Sequence, residues 1–141
     1  MSELEAYITT MPQMEAAIRR LAAKIDAPDR LLPTFDHVVG DATPFIEQRG
    51  DGFHFVVSER GTEYERVVSS DATEILRLVF LGITFDMAVD YEVGHRMPGA
   101  DPRRLIFARQ RELLEQFDSA WARRRQQETE GILRQNPCRD E

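Results

Sequence analysis

The stretch FHFVVSERGTEYERVV, Phe53 to Val68, decides the fold. Two runs rich in Val, Phe and Tyr flank a short break at Arg60-Gly61-Thr62, the pattern of an antiparallel hairpin. Gly61 takes a positive φ without steric cost and is the expected turn residue. Phe53, Phe55 and Val57 alternate with His54, Val56 and Ser58, which predicts one apolar face. A lone hairpin is barely stable in water, so other elements have to cover that face.

Working outward, Phe45–Gln48 reads as a strand and Gly50-Asp51-Gly52 as a turn into the hairpin. Together they predict a three-stranded antiparallel meander over about 44–48, 53–59 and 62–69. Upstream, Met14, Ile18, Leu21 and Ile25 form one stripe of a helix over 11–26, with Thr10 and Gln13 at capping-box spacing. Ser2 and Glu5 share that spacing and suggest a short turn before it. Pro28 ends the helix. The connection 27–43, punctuated by Pro28, Pro33, Gly40 and Pro44, reads as a crossover from helix to sheet.

Downstream, Asp71 and Glu74 cap a helix whose Ile75, Leu76, Leu78, Val79 and Phe80 are apolar on more than one side. Gly82 and Thr84 predict a break near 82–84, followed by a helix to about Gly94 with Phe85, Ala88 and Tyr91 inward. Asp101-Pro102 starts another helix to about Phe117, burying Ile106, Leu113 and Phe117. Asp118 or Ser119 caps the last, anchored by Trp121, Ile132 and Leu133 and stopped at Pro137. The expected fold is α+β: an N-terminal helix, a three-stranded antiparallel meander, then three to four C-terminal helices packed on the sheet. One domain over 1–141 is expected, with loosely ordered tails at 1–10 and 138–141.

Charge sets further bounds. The net charge is −7. Residues 36–65 carry seven acids against Arg49 and Arg60, net −5, whereas 96–111 carry five arginines against Asp101, net +4. That sign argues against direct nucleic-acid binding and favours a basic partner for the strand region. No apolar run approaches the ~20 residues of a membrane span. The acidic N-terminus lacks a signal-peptide pattern, and the single Cys138 makes no internal disulfide. These features favour the cytoplasm.

Few patterns suggest catalysis. The glycines are scattered and no phosphate loop forms. Glu92-x-x-His95 places two metal-capable side chains on one helix face, but only once, and Glu92 with Arg96 is equally a helix ion pair. A small-ligand or metal-binding enzyme using Asp90, Glu92, His95 and Arg103 is the alternative reading; no cofactor is expected. Glu63 and Glu65 read as sharing one face of the last strand. Arg103 and Arg104 point apart, so one is expected to pair with an acid on the preceding helix. Arg123-Arg124-Arg125 reads as a solvated face. Cys138 lies near the C-terminus with nothing expected nearby to activate it.

The order of VVSERGTE, ITFDMAVDYEVGHR, GADPRRLIF with the downstream QRELL, and WARRR resembles the bacterial immunity protein 63 family, over about Met14 to Pro137. The resemblance implies a cytoplasmic, non-catalytic protein that neutralises a cognate polymorphic toxin by binding it. The positions that carry it include Glu59, Arg60, Gly61, Glu63, Tyr91, Glu92, His95, Arg96, Asp101, Arg103, Arg104 and Trp121. The partner would be a toxin domain of basic character, nucleases among them. Glu59, Arg60, Glu63, Tyr64 and Glu65 at the hairpin tip are the candidate contacts.

Overall fold

The computed structural model describes residues 8–37 and 41–140. The turn expected at Ser2–Glu5, most of the N-terminal tail and Gly40 lie outside them. The elements are α1 (Met11–Lys24), a 3-10 turn (Asp29–Leu31), β1 (Thr34–Phe35), β2 (Phe45–Arg49), β3 (Gly52–Glu59), β4 (Thr62–Ser69), α2 (Ala72–Gly94), α3 (Pro102–Glu115) and α4 (Ser119–Gln135). The chain forms two compact units, one up to Phe80 and one from Leu81, and α2 contributes to both.

In the first unit the α1 cap is the expected one. The Thr10 hydroxyl accepts from the Gln13 amide, and the Gln13 side chain accepts from the Thr10 amide at 3.1 Å. Met14 and Ile18 of the stripe are fully buried. The sheet corrects the expected meander. It has four strands in the order β1-β2-β3-β4 and is mixed, because β1 pairs parallel with β2. β1 is only two residues long and sits directly after Pro33, too short to show a period. Burial corrects the one-faced hairpin as well: Phe53, His54, Phe55 and Val56 are all buried. Apolar residues occupy both alternations of the sheet, Phe45 and Val56 on one, Ile46, Phe53 and Phe55 on the other.

The β3–β4 turn is a two-residue loop with φ 51° at Arg60 and 81° at Gly61. Positive φ at both positions matches the right-handed strand twist. Glycine meets that demand freely, whereas Arg60 is held in a region that side chains disfavour.

Asp71 caps α2 by accepting from the Thr73 amide at 2.9 Å. The break expected near 82–84 is absent: α2 runs unbroken from 72 to 94, so three helices follow the sheet. Gly82 costs about 1 kcal/mol inside a helix, less than interrupting a long cooperative one. Thr84 does not cap. Its hydroxyl donates to the Leu81 carbonyl at 3.3 Å within the same helix. Phe85 is on the exposed side, not inward, while Ala88 is buried and Tyr91 half-buried.

In the second unit Asp101 caps α3, with Pro102 in its first turn, and Asp118 caps α4. The two helices pack on each other. Leu113, Leu114 and Trp121 are buried, Ile106, Phe117 and Leu133 are half-buried, and Ile132 faces solvent. No described helix is long and apolar enough to cross a membrane.

Candidate protein-binding surface

The hairpin tip is built by the Arg60-Gly61 turn, and the register around it separates its acids. Ser58 pairs with Glu63 but Val57 pairs with Glu65, so β4 carries a bulge at Tyr64. Adjacent β3 residues point to opposite faces. Glu63 and Glu65 therefore lie on opposite faces, contrary to the expectation that they share one. Glu65 joins the face of Glu59. Asp41 bridges to Glu59 through the backbone and adds a further acid at this end of the sheet. The Thr43 hydroxyl and amide hold the Asp41 carboxyl below its usual pKa, keeping it ionised. Tyr64 stands 67% exposed beside these carboxylates.

Glu63 is already engaged. Arg66 grips it with Nε at 2.6 Å, while Arg66 Nη1 reaches Glu47 at 2.7 Å and His54 Nδ1 at 2.7 Å. A guanidinium only donates, so His54 Nδ1 must accept, and its Nε2–H donates to Asp51 Oδ1 at 2.6 Å. Glu47 also meets Arg49 at 2.9 Å. The Arg66 hydrogen bond holds the Glu47 carboxyl below its usual pKa, and the His54 hydrogen bond does the same for Asp51. This network crosses β2, β3 and β4 and includes a buried histidine. Sequence reasoning missed it. The available signal was a histidine inside an apolar strand, since a buried imidazole needs partners.

Several resemblance positions of the second unit engage one another in pairs. Glu92 is buried and accepts from Arg96 Nη2 at 3.1 Å, the helix pair weighed from the sequence. His95 stacks on Tyr91 with ring centroids 4.0 Å apart, and Arg109 covers the Tyr91 ring at 4.5 Å. His95 Nδ1–H donates to the Tyr91 carbonyl at 2.9 Å. Trp121 is buried beside Phe117, ring centroids 6.1 Å apart.

Arg103 and Arg104 do not diverge as expected: both reach the 136–140 segment, and neither is seen pairing with the preceding helix. Arg103 Nη2 bonds Asp101 at 2.9 Å and the Pro137 carbonyl at 3.0 Å, and its Nη1 bonds the Asn136 carbonyl at 2.8 Å. Arg104 Nη2 bonds Asp140 at 2.7 Å. The Arg139 amide donates to Asp101, and the Asp101 amide to Asp140. Residues 136–140 are thereby tied to the start of α3. Half-buried Cys138 lines the α3–α4 groove with Arg103 and Arg104, not an empty surround. Arg125 also departs from the expected solvated face. It turns inward to donate to Gln110 at 2.9 Å.

For the enzyme reading, Glu92, His95 and Arg103 have these partners and Asp90 is engaged as well. No three His, Cys, Asp or Glu side chains among the described residues gather as a metal site.

The tail contacts predict a pH dependence. Chiefly through the Arg103 hydrogen bond, then through the Arg139 and Arg103 amides, the Asp101 carboxyl is held far below its usual pKa. A carboxylate whose pKa is depressed by folding stabilises the fold above its unfolded value of about 4. That stabilisation is lost as pH falls through the folded value. Asp101→Asn keeps a good N-cap but removes the charge and one acceptor oxygen, so the Arg103 Nη2 and Arg139 amide donors lose their partner. The variant should be less stable than the parent at pH 7, and the gap should close steadily below about pH 4. Urea unfolding midpoints from pH 7 to 2 test this; a gap that stays constant refutes it.

A sequence model of the immunity protein 63 family matches residues 50–131, more than half of the 141 residues. The chain belongs to the immunity protein 63 family. No curated protein and no solved structure matches it. The match begins at the β2–β3 turn, runs through the hairpin, α2 and α3, and ends within α4. It is narrower than the span from Met14 to Pro137: α1, β1, β2 and the residues beyond 131 lie outside it. In this immunity protein 63 family member the Glu47 arm of the Arg66 network therefore comes from outside the matched region, and His54, Asp51 and Glu63 from inside it.

Proposed function

We propose that this chain is an immunity protein of a polymorphic toxin system, which binds a cognate toxin domain and neutralises it without catalysis of its own. Family membership over residues 50–131 carries the reading. The contact surface is the acidic end of the sheet, with Glu59, Glu65 and Asp41 exposed or half-exposed and Tyr64 as an aromatic anchor. Arg60 is exposed in the turn itself. Glu63 has a second role, because it also holds Arg66. The partner is a basic toxin domain, such as one that acts on nucleic acid. An acidic surface speeds encounter with such a partner, and a stable complex buries roughly 800 Å² on each side. The complex would form in the cytoplasm of the producing cell.

Co-expression with the neighbouring toxin gene product tests the function: growth should be rescued only when this chain is present. Glu59→Lys with Glu65→Lys tests the surface, leaving the Arg66 network intact. Association should slow by about tenfold or more at low salt, with less effect at high salt, and the thermal midpoint should barely move. Unchanged association kinetics would place the interface elsewhere.

A further inference from the structure

We infer that the partner joins this sheet as a fifth strand along the free edge of β4 over Glu65–Ser69, an inference that rests on the immunity reading. In the order β1-β2-β3-β4 one edge is the two-residue β1, while the other is the eight-residue β4. Among the described residues β4 pairs only with β3. An antiparallel edge strand leaves alternate N–H and C=O groups directed outward and unpaired.

Natural proteins usually blunt such an edge with lysine, proline, a bulge or short length. Here the bulge is confined to Tyr64, and from Glu65 to Ser69 the register against β3 is regular. That stretch has no lysine and no proline. Its one cation, Arg66, is drawn against the sheet by Glu47, Glu63 and His54, so it does not guard the edge. Val68 is 43% exposed on the same stretch. The five residues offer about 17 Å of edge, continuous with the acidic tip.

The occupant is an extended segment of the toxin domain with β-branched residues beside Val67 and Val68 and a lysine or arginine beside Glu65. Main-chain bonds would supply affinity and these side chains selectivity.

The test is amide hydrogen exchange, read residue by residue by NMR on the full chain, free and bound to the toxin domain encoded beside it. In the free chain the outward amides within 65–69 should exchange readily. In the complex they should slow by about a hundredfold or more, in alternation along the strand. A complex that leaves them slowed by less refutes strand addition while the immunity reading stands. Failure of any complex to form overturns both.

Discussion

Gly52→Ala should destabilise the protein by about 3 kcal/mol or more, a large fraction of the total stability of a domain of this size. Two effects act together. Gly52 has φ 125°, in a region that L side chains rarely adopt, and an added Cβ would stand 2.5 Å from the Ser69 carbonyl oxygen. That contact is with backbone, so no side-chain rotation relieves it. Gly52 opens β3, and Ser69 closes β4 one residue from the α2 lead-in. Relieving the clash would separate the strands where Phe53 pairs with Ser69. Gly50→Ala is the control, because its Cβ would meet nothing within 4 Å, and it should change stability by less than about 1 kcal/mol. Equilibrium urea unfolding measures both. A Gly52 variant as stable as the Gly50 variant would mean that the strand ends are looser than the geometry indicates.

Gln110→Leu should cost about 2–3 kcal/mol although it makes the core more apolar. Gln110 is fully buried on α3. Its Nε2 donates to the Leu81 carbonyl at 2.9 Å and to the Thr84 hydroxyl at 3.2 Å, both on α2. Its Oε1 accepts from Arg125 Nε on α4. One amide thus links the three helices of the second unit. Leucine fills similar space but leaves the Arg125 N–H facing a methyl group, and a donor removed from water without a partner is costly. Pairing the change with Arg125→Met removes that orphan. The double variant should be more stable than the sum of the two single effects. Strict additivity, or a Gln110→Leu loss below about 0.5 kcal/mol, would show that the link is not structural.

Gln110 also illustrates what could be read from the sequence. Ile106, Gln110, Leu113 and Phe117 follow one another at helical spacing, so the position of Gln110 on the inward stripe was visible. Its partners were not, because Leu81 and Thr84 lie 29 and 26 residues away. The same holds at the candidate surface. The tip, its turn glycine and its acids were legible, since a turn signal and alternating β-formers act within a few residues. The division of Glu63 from Glu65 was not, because a bulge is a property of two strands in register.

What the sequence alone determined is most of the elements and where the helices start. The caps at Thr10, Asp71, Asp101 and Asp118 and the hairpin around Gly61 rest on residues close together in the chain, and the family resemblance rests on the order of such short stretches. Only the tertiary structure decided the parallel β1, the unbroken α2, the inward turn of Arg125, the tie between Asp101 and Asp140, and the network that joins Arg66 to His54 and Glu47. Each depends on groups ten or more residues apart, or on a helix prevailing over a local breaker. Short-range patterning carries no information about which distant donor meets which acceptor. Folding settles that by requiring buried polar groups to find partners.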